Sequence, residues 1–296
     1  MGAPLYDNVL TDSNYEDTLR GVLTDATGIH CPERLRAAIF HAVFPGGKRI
    51  RPRLCLSVYQ AYGCSYSKVV ERFSIAIELL HCASLVHDDM PCFDNAALRR
   101  QLPSVHTAFG EPIALLAGDS LIVAAFGALS VATEDEPALL SSLLSLLAAA
   151  AGPAHGLLAG QAWECEPDWE LQRYHDAKTA SLFEAAAVGG ALAAGADGES
   201  WRSFGRQLGR FYQVVDDIAD ASGETARLGK SVGRDAALDR PSAVRAAGVP
   251  TALKRAHLLA ESLVATIPSC QGREQLREVT NHILRSLLHN INDCAV

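Results

Sequence analysis

The sequence lacks the excess of basic residues that is typical of nucleic-acid-binding proteins. It also lacks the strongly polar composition that is typical of disordered proteins. It contains 26 Lys and Arg residues against 34 Asp and Glu residues, for a net charge of −8. Nucleic acids and anionic membranes are bound by clustered Lys and Arg, so neither is expected as the main partner. Because 49% of the residues are apolar and 20% are charged, intrinsic disorder is also excluded. An anionic ligand would have to be held by metal ions or by a few local cations.

Closely spaced cysteine pairs and an N-terminal targeting signal are also missing. The eight cysteines are scattered without any Cys-x-x-Cys pair, which argues against a zinc site or a disulfide framework and favours free thiols in a reducing compartment. The first seventeen residues contain four acids and neither a basic cluster nor an apolar core. They do not read as a signal peptide, and we expect a cytoplasmic protein.

One long uncharged segment resembles a membrane span. No Asp, Glu, Lys or Arg occurs between Pro137 and Trp163, but Gly152 and Pro153 interrupt the segment. A spanning helix requires about 20 continuous and strongly apolar residues. The segment is therefore predicted to form two helical pieces inside a soluble core, with no transmembrane segment in the chain.

Apolar residues recur at helical spacing through most of the chain, whereas long apolar and polar alternation is missing. No internal repeat or linker divides the sequence. We predict one all-α domain over residues 1–296, a helical bundle around a central cavity. The predicted helices are Pro52–Tyr62, Val69–His87, Pro112–Val131, Pro137–Ala151, Glu170–Ala194, Trp201–Ala221, Pro250–Ile267 and Glu274–Asn290, and the most loop-like stretches are Phe44–Pro52, Pro91–Pro103 and Ser222–Pro241.

The first acidic cluster follows an apolar helix. Asp88 and Asp89 precede Pro91, with Asp94 shortly after. Proline should end the helix near Asp88 and Asp89, which places the acids at a helix C-terminus, where negative charge is unfavourable. Because carboxylate oxygens are preferred ligands of hard divalent ions, a metal ion is the obvious compensating charge. The alternative is an ordinary solvated turn.

The second acidic cluster shares one helix face. Gln213, Asp216, Asp217 and Asp220 recur at the spacing of a helical turn, and like charges one turn apart destabilise an isolated helix. Two such clusters in an all-α chain predict acids on facing helices, because bundles seldom carry unpaired inward acids.

Basic residues occur where a phosphate group would need them. A Gly-led basic loop with Lys48 and Arg51 precedes a helix, Arg99 and Arg100 follow the first acidic cluster, and further cations are Lys178 and Lys230. Each alone could be a solvated surface charge. Acids that need a metal and cations that need an anion together predict magnesium-bridged phosphates.

The ordered set of motifs resembles the trans-prenyltransferases, the polyprenyl diphosphate synthases. The resemblance runs from about residue 33 to 290 and is carried by Gly46–Pro52, Asp88, Asp89, Asp94, Arg99, Arg100, Gln161, Lys178, Thr179, Gln213, Asp216–Asp220, Gly229 and Lys230. His81–His87 and Gly160–Glu164 make it most similar to the bacterial geranylgeranyl diphosphate synthases of carotenoid and bacteriochlorophyll pathways.

The resemblance implies a homodimer of all-helical subunits that condense isopentenyl diphosphate with an allylic diphosphate. It also implies three magnesium ions, with Asp88, Asp89 and Asp94 at two of them and Asp216, supported by Asp217 and Asp220, at the third. The isopentenyl diphosphate site would comprise Gly47, Lys48, Arg51, His81 and Arg100, and the allylic diphosphate site Arg99, Lys178, Thr179, Gln213, Lys230 and Arg240. The residues expected to take part in catalysis are Asp88, Asp89, Asp94, Arg99, Arg100, Lys178, Asp216 and Lys230.

At a few positions the residue differs from the one that is usual in the family, and two positions bear on the expected product length. Arg240 stands where relatives have Lys, which keeps the charge and changes its geometry. Farnesyl-producing relatives carry an aromatic residue five positions before the first Asp, where this chain has Ala83, followed by Ser84. The small side chains predict a twenty-carbon product, geranylgeranyl diphosphate.

Several other classes of protein compete with this interpretation. A farnesyl diphosphate synthase would share every motif, and a non-catalytic partner subunit would be expected to lose acids from one cluster. A terpene cyclase of the same fold would lack the Lys48–Arg51 loop and replace the second Asp cluster. An HD-type metal phosphohydrolase, suggested by His87 and Asp88, leaves the second cluster unexplained.

Overall fold

The structure is a computed structural model that describes residues 12–44, 46–132, 137–168, 170–221 and 240–292. Helices dominate the described residues, as the sequence predicts. In chain order they are α1 (Asp12–Thr27), α2 (Glu33–Val43), α3 (Ile50–Gln60), α4 (Lys68–Asp88), α5 (Val105–Phe109), α6 (Glu111–Ala132), α7 (Pro137–Ala151), α8 (Leu157–Ala162), α9 (Leu171–His175), α10 (Ser181–Ala193), α11 (Arg202–Ala221), α12 (Ala243–Ala247), α13 (Val249–Leu263) and α14 (Arg273–Asn292).

The predicted helices are confirmed, with differences at their ends. The helix predicted from Pro52 begins at Ile50, inside the stretch read as a loop, and the one predicted over Glu170–Ala194 is divided by a π-helical turn at Asp176–Ala180. The helices α1 and α2 were not predicted. Most of the predicted loop from Ser222 to Pro241 lies outside the described residues.

Helix α4 lies at the centre of the bundle and carries the first acidic cluster at its end. Its start is capped by the Ser67 hydroxyl, which accepts a hydrogen bond from the Val69 amide at 3.2 Å. Buried residues lie on every face of α4, which packs mainly against α6. Around this pair, α3 packs on α10, α10 on α11 and α11 on α13. The π-helical turn at Asp176–Ala180 packs against α11, which carries the second acidic cluster, and its Lys178 lies 3.8 Å from Asp88 at the end of α4.

A short β-ladder interrupts the helical architecture, although the sequence analysis found no strand signal. Leu98–Arg99 pairs antiparallel with Leu102–Pro103. The two residues between the strands, Arg100 and Gln101, have φ values of 53° and 67°, the sign pattern of the tight type I′ turn. The strands are too short for alternation to be visible in the sequence. The hairpin fixes the backbone that carries Arg99 and Arg100.

Two apolar segments bear on the question of a membrane. The uncharged stretch from Pro137 to Trp163 forms α7 and α8 with a break between them, as predicted. Helix α6 is long and apolar enough to cross a membrane by length and composition, and 44% of its apolar window is buried within the protein. Core helices of soluble proteins pass the same test, so these two properties do not by themselves make α6 a membrane span.

Candidate active site

The end of α4 folds the first acidic cluster into a compact loop. Helix α4 ends at Asp88, as Pro91 predicts. The Asp94 amide then donates to the Asp88 carbonyl oxygen at 2.8 Å, and the Ala96 amide donates to the Asp89 carbonyl oxygen at 3.1 Å. Asn95, with a φ of 45°, reverses the chain between them. The three acids of the cluster are therefore held around one helix end.

Each acid of this first cluster is paired with a polar or cationic side chain. The Gln161 amide nitrogen donates to an Asp88 oxygen at 3.0 Å, and the Lys178 ammonium lies 3.8 Å from the same oxygen. The Arg99 guanidinium binds both oxygens of Asp89, the shortest contact being 2.5 Å. Pairing with cations offsets the cost of burying these charges.

Arg240 connects the first acidic cluster to the chain segment that follows α11. One guanidinium nitrogen forms an ion pair with Asp94, and the other lies 3.0 Å from Glu164. Because neither accepting oxygen is aligned for a hydrogen bond, these contacts are ion pairs. Gly229 and Lys230, in the same segment, lie outside the described residues.

The Gly-led loop before α3 is shaped by an arginine that was not among the predicted site residues. Arg49 adopts a left-handed conformation with a φ of 48°, and its buried guanidinium contacts Glu16 at 2.8 Å and Glu78 at 2.7 Å. Lys48 is consequently exposed, while Arg51 is buried with its guanidinium carbon 4.6 Å from the Phe183 ring centroid.

The predicted isopentenyl diphosphate residues come from three elements that meet beside this loop. A Cβ at Gly47 would lie 3.0 Å from a guanidinium nitrogen of Arg100, so the absence of a side chain permits the close approach. Burial and the charges of Arg51 and Arg100 hold the pKa of His81 well below its usual value. His81 is therefore neutral at pH 7 and offers a hydrogen bond rather than a positive charge.

The predicted allylic diphosphate residues Lys178 and Thr179 lie in the π-helical turn between α9 and α10. Such turns are frequent at functional sites. The Thr179 hydroxyl donates to the side-chain oxygen of Gln213, whose amide nitrogen donates to Asp217 at 2.7 Å. A Cβ at Gly160 would overlap the Lys178 backbone. The turn is thus fixed between α8 and α11.

The second acidic cluster occupies one face of α11 as predicted, but its members have different surroundings. Asp217 is buried and accepts hydrogen bonds from the Ala243 amide at 2.6 Å and from Gln213, and His175 lies 3.2 Å away. Asp217 therefore joins α11 to the start of α12. Asp216 is partly exposed and Asp220 is buried. Their role as metal ligands, and that of Asp217, stays a prediction.

The donor set suits magnesium bound together with a phosphate ligand. Within the described residues, no three His, Cys, Asp or Glu side chains converge into a ready-made cage. Magnesium in phosphate-transfer sites typically binds one or two carboxylates, several waters and the substrate's phosphate oxygens. Asp88 and Asp94, on opposite sides of one loop, fit this mode of binding.

The sequence analysis noted Glu164 only as part of the Gly160–Glu164 motif and did not assign it to the site, but the structure places it among the predicted site residues. Its buried carboxylate accepts a hydrogen bond from the Tyr174 hydroxyl at 2.8 Å and contacts both Lys178 and Arg240. A signal was present, because Glu164 is the first charged residue after the long uncharged stretch that ends at Trp163.

Comparison with known proteins shows the family of this chain. The chain matches the model of the polyprenyl synthetase family over residues 32–279. It belongs to the polyprenyl synthetase family. It is 42% identical to a geranylgeranyl diphosphate synthase of Cereibacter sphaeroides, covering 94% of this chain and 96% of that protein. A similarly named protein of Rhodobacter capsulatus is 42% identical, covering 90% and 93% of the two chains.

A solved structure supports the fold of this polyprenyl synthetase family member. A Helicobacter pylori geranyltransferase, complexed with magnesium and isoprenyl diphosphate, superposes with a TM-score of 0.83 at 30% identity, covering 96% of this chain and 99% of that one. The predicted family resemblance and the all-α fold are both confirmed. Because the chain belongs to this family, the alternative prediction of an HD-type phosphohydrolase is wrong.

The residues predicted to set product length lie on α4 one turn before the acids. Ala83 is 1% exposed, and the Ser84 hydroxyl donates to the His81 carbonyl oxygen at 2.8 Å. The predicted floor of the site is thus part of the packed α4 surface. The role of these two residues stays a prediction.

Proposed function

We propose that the protein is a magnesium-dependent prenyltransferase that condenses isopentenyl diphosphate with an allylic diphosphate to give geranylgeranyl diphosphate. Dimethylallyl, geranyl and farnesyl diphosphates are the allylic substrates considered. The observation that carries the proposal is the meeting of Asp88 and Asp94 with Lys178 and Arg240, which come from three separate parts of the chain. The acids that would bind metal ions and the cations that would bind phosphate oxygens therefore lie in one site.

The proposed reaction needs positioning and charge stabilisation rather than a protein nucleophile. The allylic carbon–oxygen bond breaks and its electron pair leaves with the diphosphate; the isopentenyl double bond then attacks the allylic cation, and a proton is lost to the departing diphosphate. When bound, magnesium supplies positive charge for the oxygens of the leaving diphosphate. Lys178, Arg240 and Arg99 supply fixed positive charge in a largely buried site, where such interactions are strongest.

The residue assignments follow the predicted motifs and remain part of the proposal. We assign two magnesium ions to Asp88, Asp89 and Asp94 and a third to Asp216, with Asp217 and Asp220 in support. Asp217 would support this ion through water, because its oxygens already accept hydrogen bonds from Ala243 and Gln213. The isopentenyl diphosphate group is assigned to Gly47, Lys48, Arg51, His81 and Arg100, and the allylic group to Arg99, Lys178, Thr179, Gln213, Lys230 and Arg240.

We further propose a homodimer in the cytoplasm. The dimer is supported by the outer face of α6, where Leu115, Leu116 and Val123 are exposed around Asp119. Helix α6 contains no Lys or Arg and only one acid, Asp119, after its first residue. Exposed apolar surface of this kind is typical of protein–protein contacts.

The function is tested by incubating the purified protein with magnesium, isopentenyl diphosphate and each allylic substrate, and then sizing the products. We expect a twenty-carbon product that disappears when a chelator removes the metal. In the Ala83→Tyr variant, the ring should shorten the space below the acids and shift the product towards fifteen carbons.

Controls separate chain length from simple damage to the core. Ala83 is 1% exposed, so the melting temperature of the variant must show that it folds. Ala83→Ser adds little volume and should keep the wild-type product. No elongation by wild-type protein would contradict the proposed function, whereas an unchanged product in a folded Ala83→Tyr variant would contradict only the account of chain length.

A further inference from the structure

Glu164 is buried between two of the cations assigned to the allylic diphosphate. Its side chain is 2% exposed. One carboxylate oxygen contacts the Lys178 ammonium and accepts a hydrogen bond from the Tyr174 hydroxyl at 2.8 Å. The other oxygen lies 3.0 Å from a guanidinium nitrogen of Arg240. A single buried carboxylate therefore joins a cation from the π-helical turn to a cation from the segment before α12.

Each of these cations also reaches an acid of the first cluster. Lys178 lies 3.8 Å from an Asp88 oxygen, which is longer than a direct hydrogen bond. Arg240 forms its second ion pair with Asp94. Glu164, Asp88 and Asp94 thus compete for Lys178 and Arg240. A cation that pairs with Glu164 is less available to pair with Asp88 or Asp94.

Both cations remain charged in this environment, so the competition is between full charges. The Arg240 guanidinium is always protonated, and the Lys178 ammonium lies between the carboxylates of Glu164 and Asp88. A buried cation that loses one anionic partner turns to the remaining one, because an unpaired buried charge is costly.

We propose that Glu164 is a positioning residue that holds Lys178 and Arg240 in place and limits their pairing with Asp88 and Asp94. The aspartate oxygens then remain available to magnesium, and the two cations remain directed at the diphosphate. This inference rests on the proposed function, because it takes magnesium and a diphosphate as the ligands of this site.

The test replaces the carboxylate with an uncharged group of the same shape. Glu164→Gln removes the negative charge, so Lys178 and Arg240 should close onto Asp88 and Asp94 and compete with the metal. We expect the affinity for dimethylallyl thiolodiphosphate, an unreactive analogue, to fall at least tenfold in magnesium, measured by isothermal titration calorimetry. The magnesium concentration at half-saturation should rise in the same experiments.

Glu184 offers a matched control. It is also a glutamate with two cationic partners, contacting Arg202 at 2.6 Å and Arg206 at 2.8 Å, and neither partner is a predicted site residue. Glu184→Gln should leave analogue and magnesium binding unchanged. Thermal melting of both variants reports folding, and Glu164→Asp should restore part of the affinity because the charge is retained.

Two results would overturn the inference. One is a folded Glu164→Gln variant that binds magnesium and the analogue as the wild type does. The other is tighter binding of inorganic diphosphate by the variant without metal, which would mean that Glu164 only reduces the local positive charge. Both results come from binding measurements, whereas the proposed function is tested by the elongation assay. Failure of the inference can therefore be distinguished from failure of the proposed function.

Discussion

Individual side chains in the site have protonation states decided by their immediate neighbours. His81 is the clearest case, because burial and the guanidinium groups of Arg51, Arg100 and Arg99 all disfavour its charged form. In the unfolded chain, a histidine takes up a proton near pH 6.5. The folded protein does so only at a lower pH. Stability should therefore rise with pH through the interval that ends near 6.5 and should then level off.

This pH dependence can be measured in the free energy of unfolding of the ligand-free protein. His81→Asn removes the titrating group. The increase in the free energy of unfolding between pH 5.5 and 7.5 should therefore be smaller in the variant than in the wild type. The difference in slope can be no more than about 1.4 kcal/mol per pH unit, the value for one proton. Urea titrations at the two pH values provide the measurement.

The exposed His257 on α13 is the control for this experiment. His257→Asn should leave the pH dependence of stability as it is in the wild type. A His81→Asn variant whose stability varies with pH as steeply as that of the wild type would contradict the prediction.

At the same scale, the sequence analysis singled out candidate charged residues but not their partners. Pro91 ends α4 and places Asp88 at its end, which local rules predict. That Asp217 binds the Ala243 amide, or that Glu164 joins Lys178 to Arg240, depends on the packing of residues far apart in the chain. Periodicity and spacing contain no such information.

At the scale of secondary structure, irregular segments hold some of the predicted site residues and shape the surroundings of others. The four non-glycine residues with positive φ in the described part of the chain are Arg49, Asn95, Arg100 and Gln101, all in the two loops beside the first acidic cluster. Such conformations cost of order 1–3 kcal/mol each and persist only where the surroundings impose them. The hairpin and the π-helical turn were not predicted, because they arise from tertiary packing that overrides local preference.

The π-helical turn depends on a close approach at Gly160. A Cβ there would overlap the backbone of Lys178, which cannot move aside as a flexible side chain would. Gly160→Ala should therefore lower the free energy of unfolding by about 1–3 kcal/mol, as overpacking typically does. Displacement of Lys178 should also raise the KM for the allylic diphosphate. Urea denaturation and steady-state kinetics measure the two effects.

Gly21 is a suitable control, because it lies in α1 and a Cβ there would have no heavy atom within 4 Å. Gly21→Ala should stabilise the protein by about 0.5–1 kcal/mol through helix propensity and leave the KM unchanged. A Gly160→Ala variant that behaves like Gly21→Ala would contradict the close-approach argument.

At the scale of the whole molecule, the outer face of α6 is an apolar surface that the other described helices leave uncovered. Val123 is 72% exposed, and Leu115 and Leu116 lie on the same helix. The sequence predicted a helix at Pro112–Val131 but gave no sign of this exposed face, because α6 is apolar on nearly all sides. The packing of α4, together with that of α1, α2 and α5, against α6 distinguishes the covered face from the exposed one.

If two copies pair through this face, a charge placed in it should separate them. We expect the wild type to have twice the chain mass of 31.6 kDa by light scattering, and Val123→Arg to shift the protein towards the monomer, because pairing with Asp119 one turn away does not offset the desolvation of a buried guanidinium. Leu258→Arg places the same charge at an exposed leucine, 56% accessible, on α13, and should leave the dimer intact. A wild type that is monomeric at assay concentrations, or a dimeric Val123→Arg variant, would show that this face does not join two copies, and the exposed face would then require another partner.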